Sequence, residues 1–375
     1  MSVSAKSIPR TVTRSGSFDR MEKLRGLLPG IGVDVLLVSL LPNIQYLCGF
    51  TGSAALLLVG ASRSSLFTDS RYALQAGEEV SGSRVHIAKH GLIRAVAEAL
   101  RSHRRPRPLR LGYSPHGLTV AQKKALDAGS GVGIRWVPDG NLVEGLRAVK
   151  DADELVRMRE AADLISRVFR DVVRVIGPKM SEIELAAEIE YKIKRYGGSG
   201  PSFDTIVASG PRSAWPHARP TPKLLGKSQL VVLDHGAIIR GYCSDMTRTV
   251  FLGKAPQKVR QMYAAVLEAQ AAAGNTLRPG VRAQEVDAAA RNVLKRFKLG
   301  TYFTHSTGHG LGLEVHEMPR LGHNERTVMR EGMVVTVEPG VYIEKLGGVR
   351  IEDEMLVTAT GATSLTTAPR GFLEL

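Results

Sequence analysis

Apolar and polar positions along the chain follow two regimes. In the first, short apolar runs of strand length alternate with segments that are apolar at every third or fourth position. Residues 34–39, 53–60, 65–69, 84–89 and 134–138 read as strands, and residues 91–104 and 118–128 carry helical spacing. This alternation predicts an α/β domain over residues 21–140. Its polar groups form no cluster with metal or nucleophile spacing. The glycine-rich stretch 49–53 lacks both the dinucleotide fingerprint and the lysine of a phosphate loop.

The second regime begins near residues 139–153. Asp151 with Glu154 forms a capping-box pattern that opens a long helix, whose buried face runs through Leu155, Met158, Ile165, Val168 and Val172. Gly177-Pro178 stops it. Ser181 and Glu184 then open a second helix that runs to about Tyr196. The pattern recurs 101 residues later, with Pro178 falling on Pro279, Glu184 on Glu285 and Ile193 on Leu294. Residues 151–360 therefore read as a duplicated unit of two helices and a sheet, a pseudo-twofold domain with its site between the halves.

Each half carries one apolar hairpin, and each hairpin carries two carboxylates. Residues 230–252, LVVLDHGAIIRGYCSDMTRTVFL, fold about Ile239 and Arg240 in the simplest register. That register makes Asp234 and Asp245 directly opposed partners, with Cβ atoms roughly 5 Å apart. Two like charges so close on an apolar strand call for a neutralising partner, and a divalent cation is the simplest. The plainer alternative is that one aspartate caps the turn and faces water. In the second half, folding about Lys345 sets Glu338 opposite Glu352. Between these lies His305-Ser-Thr-Gly-His-Gly-Leu-Gly-Leu-Glu-Val-His316-Glu. Its glycines allow the bends that would turn His309 and His316 to the same side. Asp234, Asp245, His309, Glu338 and Glu352 form a donor set suited to Mn²⁺, Co²⁺ or Zn²⁺. Their four negative charges offset two divalent ions, which implies metal-assisted hydrolysis.

Composition narrows the classes. At 375 residues two domains are the default, and 43% apolar with 23% charged residues is ordinary for a soluble protein. Two cysteines make neither a disulfide framework nor a cysteine zinc site, and point to a reducing, cytoplasmic compartment. The formal charge of +15 raises nucleic-acid binding, but the basic residues are dispersed. The one dense run, residues 101–110, holds two prolines and reads as a solvated connector. No apolar run reaches the roughly 20 residues of a membrane helix. Residues 1–20 read as a disordered tail.

Taken together, DHGA, GYCSDMTRT, GHGLGLEVHE, VEPG and RIEDE resemble the pita-bread metallopeptidases, in the X-Pro peptidase branch of aminopeptidase P and prolidase. LPNIQYLCGFTGS and TDSRY are similar to the creatinase-type amino-terminal domain of that branch. The resemblance implies residues 21–140 as that domain and 141–375 as a pita-bread α+β catalytic domain. It implies a dimetal site, with Asp234 on one metal, Asp245 and Glu352 bridging, and His309 and Glu338 completing the second, Mn being the expected metal. Glu338 would handle protons. His316 would stabilise the tetrahedral intermediate, and His217, in SAWPHARPT, would contact substrate. Arg350 matches an arginine beside the bridging glutamate and is assigned to substrate. The implied activity is hydrolysis of the X-Pro bond at a peptide's amino terminus, with a dipeptide-only prolidase and methionine aminopeptidase as alternatives. A homodimer is expected, and no nucleic-acid partner.

Overall fold

The apolar runs of the amino-terminal unit build one six-stranded mixed sheet. Its order is Arg84–Ala88, Ser64–Asp69, Ala55–Gly60, Val35–Val38, Leu109–Tyr113, Ile134–Pro138. The structure, a computed structural model, describes residues 14–101 and 107–375, and the chain divides into two units between Arg147 and Ala148. Of the expected tail, residues 1–13 lie outside the described residues. Helix Arg14–Leu27 takes up the remainder.

All five strands expected in the first unit form. Leu109–Tyr113 joins them as a sixth, between Val35–Val38 and Ile134–Pro138. It starts inside the basic run read as a connector, of which residues 102–106 lie outside the described residues. Two arginines of that run serve the fold: Arg107 and Arg110 each bond Asp34 at 3.0 Å. Chiefly through the bonds from Arg110, this holds the Asp34 carboxyl down to about 2.

In the second unit both capping boxes form, opening helices Ala152–Val172 and Glu182–Arg195. Helices Gln257–Thr276 and Ala283–Arg296 repeat them. The offset of 101 carries the bounds of the second helix onto those of the fourth. Each helix pair covers one sheet. Leu164, Ile165, Val168, Leu185, Ile189 and Ile193 pack on Val207, Val231, Leu233 and Val250. Val259, Met262, Val266, Val286 and Leu294 pack on Val335, Val337 and Val357. Two cores thus stand behind two sheets, and each sheet contains one hairpin that carries carboxylates.

The first hairpin departs from its expected register. Strand Gln229–His235 pairs with Met246–Leu252 so that Asp234 faces Thr247, not Asp245. The loop is Arg240-Gly241, both at positive φ, rather than Ile239-Arg240. A two-residue hairpin of this twist needs left-handed residues, which glycine supplies and a β-branched isoleucine resists. The slip is two residues, so Asp245 remains on the face of Asp234 as a diagonal neighbour. The second hairpin keeps the expected register: Val337 pairs with Asp353 and Gly340 with Arg350, with Glu338 and Glu352 in the gap between these ladders.

Candidate metal centre

The five expected ligands meet where the two hairpins face each other. One donor atom from each of Asp245, His309 and Glu352 lies within 4.8 Å of the other two. His309 Nε2 stands 3.6 Å from Asp245 Oδ2 and 3.4 Å from Glu338 Oε1. Asp234 is held to the group by an ion pair with Arg350. His309 reaches it from the short strand Gly308–Gly310, which pairs with Val334–Val337 on one side and Glu317–Leu321 on the other. Gly308 is required there, because a Cβ would fall 1.9 Å from the Thr336 carbonyl oxygen. The chain then folds back, so the His316 ring meets the His309 ring edge to face at 4.2 Å.

The polar shell around the ligands is specific. Glu352 Oε2 accepts from the Thr247 hydroxyl at 2.7 Å, and the Asp245 amide donates to Glu354 at 2.9 Å. Thr336 donates to Glu338 at 3.3 Å and accepts from the His309 amide at 3.1 Å. His309 Nδ1 lies 3.0 Å from the Gly310 carbonyl oxygen, which can only accept. That nitrogen therefore carries the proton, and Nε2 offers its lone pair to the carboxylate cluster.

Electrostatics set this cluster apart. Burial, then the charges of Glu352, Asp234 and Glu338, push the Asp245 carboxyl well above its usual range. Burial, then Glu338 and Asp234, do the same to Glu352. Glu338 rises to about 8, mainly by burial and against the pull of Arg350. His309 falls to about 4, by burial and the neighbouring His316. The residues fit divalent ions: Asp234 Oδ1 and Asp245 Oδ1 are buried with no hydrogen-bond partner, in a cluster whose acids repel one another. Cations bound there would occupy the orphaned oxygens and replace the protons that the acids otherwise retain.

Residues 156–359 match metallopeptidase family M24, and residues 20–149 match the creatinase/prolidase amino-terminal domain. The chain belongs to metallopeptidase family M24. A Bacillus subtilis peptidase, YqhT, is 39% identical over 95% of this chain and 100% of its own. Among solved structures, an Xaa-Pro dipeptidase from Bacillus anthracis superposes with a TM-score of 0.91 at 36% identity, covering 96% of this chain and all of that one. An X-Pro aminopeptidase from Thermotoga maritima gives 0.85 at 33% identity, over 92% of this chain and 99% of that one. The expected architecture, a creatinase-type domain followed by a pita-bread metallopeptidase domain, is the one found, and the M24 family implies divalent metal.

Three residues expected in this M24 site sit outside the ligand cluster. His316 is exposed beside His309, and burial, then the charge of His217, lower its pKa. His217 is likewise exposed, on the loop after strand Ile206–Ser209. Arg350, assigned to substrate by resemblance, is 3% exposed. Its three guanidinium nitrogens bond the protein: Nε to Thr247, one terminal nitrogen to the Pro216 carbonyl and Tyr342, the other to Asp234. All three nitrogens are thus engaged within the protein, one of them on Asp234.

Tyr342, His305 and Thr247 had no signal as single residues. Tyr342 accepts from Arg350 at 2.8 Å and lies 2.9 Å from His305 Nε2, extending the chain of bonds that begins at Asp234. Only the strand register, which puts Thr247 opposite Asp234, could have singled out the threonine. Among the described residues no helix is long and apolar enough to cross a membrane.

Proposed function

We propose that this chain is a metal-dependent exopeptidase that hydrolyses the X-Pro bond at the amino terminus of peptides. The observation that carries the reading is the convergence of three buried carboxylates with half-buried Glu338 and a neutral, half-buried imidazole, with orphaned oxygens on Asp234 and Asp245. Asp234, Asp245, His309, Glu338 and Glu352 would hold two divalent ions, Mn²⁺ being the expected metal. When bound, these supply Lewis acidity toward the scissile carbonyl and lower the pKa of water. Glu338, ionised once metal is bound, takes a proton as water attacks the carbonyl carbon and delivers it to the proline nitrogen as the C–N bond breaks. That nitrogen belongs to a tertiary amide with no hydrogen of its own, so it leaves as an amine only if protonated. His316 donates to the developing oxyanion, and His217 contacts substrate. Arg350 keeps Asp234 in place. The working unit is a cytoplasmic homodimer, the compartment being consistent with a chain of only two cysteines.

Peptides longer than two residues are accepted in this reading, as in an X-Pro aminopeptidase. The likeness to an Xaa-Pro dipeptidase favours a second reading, in which only dipeptides are cut. Comparison of kcat/KM for X-Pro dipeptides, X-Pro tripeptides and Met-Ala peptides tests both. Turnover of dipeptides and tripeptides alike is expected. Rejection of tripeptides makes the enzyme a dipeptidase, and preference for Met-Ala overturns the X-Pro reading.

A further inference from the structure

Glu182, the first residue of helix Glu182–Arg195, is fully buried and lies outside the metal cluster. It receives an unusual number of bonds. One carboxylate oxygen accepts from the Ser209 amide at 2.8 Å and the Ser209 hydroxyl at 3.0 Å. The other accepts from Arg212 Nε at 3.1 Å, the Thr221 amide at 3.1 Å and the Thr221 hydroxyl at 2.8 Å. Burial alone would raise its pKa, but these bonds, with the Arg212 charge, hold it below the usual range. All of its partners belong to one segment, and they bracket it: Ser209 at the start, Arg212 inside, Thr221 at the end. His217 lies within that bracket. Arg212 also ties the loop to itself, donating to the Arg219 carbonyl at 2.6 Å.

The same loop is anchored on the other half of the domain. The Ser213 hydroxyl accepts from the Gly348 amide at 2.9 Å, and the Pro216 carbonyl accepts from Arg350 at 3.1 Å. The loop thus spans the two halves, its two ends held by a buried acid of the first and its middle by the Asp234-bound arginine of the second. An ion pair this buried gains little stability over apolar packing, because desolvation offsets attraction. Its benefit is a single geometry. The second half repeats the device: buried Asp287 accepts from the Thr307 amide at 3.1 Å and hydroxyl at 2.8 Å and from Arg291 at 2.7 Å, two residues before His309.

We infer that Glu182, acting through Arg212 and Thr221, is a positioning residue for His217, holding the loop 210–220 so that the imidazole meets substrate in one place. The inference rests on the substrate-contacting role given to His217 above. The experiment is a double-mutant cycle on an X-Pro dipeptide with Glu182→Gln, His217→Ala and the pair, reading kcat/KM and metal content. Misplacement of a contact by about 1 Å costs up to about 100-fold. Glu182→Gln should lose at least about tenfold while keeping its full metal content, and should cause no further loss once His217 is alanine. Should Glu182→Gln fail to fold, Arg212→Ala takes its place, since that side chain is 20% exposed and its removal leaves the serine and threonine bonds intact. Equal losses in the two backgrounds, or no loss, overturn the clamp alone. Full activity of His217→Ala overturns both the clamp and the role assigned to His217.

Discussion

Chelated protein should lose stability between about pH 7 and pH 9, and Glu338→Gln should lose less of it. In the metal-free fold the Glu338 carboxyl keeps its proton to about 8, against 4.5 for an unperturbed glutamate. A group whose pKa is raised by folding stabilises the fold at low pH and ceases to do so as pH rises through the folded value. At about pH 7 the folded chain carries roughly 0.9 of a proton more than the unfolded chain at this one site. Integrated from about pH 7 to pH 9, the difference removes on the order of 1 kcal/mol. Asp245 and Glu352 act with the same sign, since burial and mutual repulsion raise both. Buried His235 and half-buried His305 and His309, each lowered to about 4, act with the opposite sign. Most of their contribution is already in place at about pH 7, and the small remainder is shared by wild type and Glu338→Gln, so it cancels in the comparison of the two. Denaturant unfolding of chelator-treated wild type and Glu338→Gln at both pH values reads the effect, with the wild type falling further by on the order of 1 kcal/mol. Saturating metal should flatten the wild-type difference, because the ligands are then ionised at both pH values. Equal pH dependence in the two proteins, or a wild type that gains stability with pH in chelator, would refute the electrostatic account of the cluster.

Asp245→Ala or Glu352→Ala should remove a shared ligand, and elemental analysis should find less metal together with loss of turnover. His316→Ala should retain its metal, and kcat should fall by about 10²–10³ with KM changed far less, as for loss of one transition-state donor. An unchanged kcat removes His316 from the mechanism. Thr247→Val, nearly isosteric, deletes the 2.7 Å bond to Glu352 and the acceptor for Arg350 Nε. Metal affinity, read against a competing chelator, should weaken by about 10–100-fold while the fold is retained; unchanged affinity would show that the threonine does not orient the glutamate.

Much of this site was legible because strand parity forgives an even error. The expected turn at Ile239-Arg240 was misplaced, and Asp234 faces Thr247 instead of Asp245. A slip of two residues still leaves both aspartates on one face, whereas a slip of one would have separated them. The helix repeat was legible from its breakers, since Gly177-Pro178 and Pro279-Gly280 mark the same joint in each half. Strand Leu109–Tyr113 was missed because its first two residues belong to a basic, proline-containing run, and the pairing of Arg107 and Arg110 with Asp34 explains why charge belongs there. The bonds of Arg350, a residue singled out only by resemblance, and the whole role of Glu182 were illegible for a different reason. What these two residues do depends on partners more than 20 residues away, and no local spacing encodes such bonds.

The charges in the cleft bear on how many ions the site needs. Asp234, Asp245, Glu338 and Glu352 bring four negative charges when ionised, and Arg350 is the buried cation paired among them. With that arginine the cluster stands at about minus three, a charge so unfavourable at this burial that three of the acids hold protons above their usual range. A single divalent ion leaves the cleft still negative, by about one charge, toward a carbonyl oxygen that must itself become an anion. A second ion turns the balance to about plus one, the sign that stabilises such an oxyanion. Metal-free enzyme titrated with Mn²⁺ should therefore show little turnover until the first site is filled, and then a rise with the second equivalent. A rate that climbs linearly from the start and levels off at one ion per chain would overturn the dinuclear reading, and would leave Glu338 to perform its proton transfer beside a single metal.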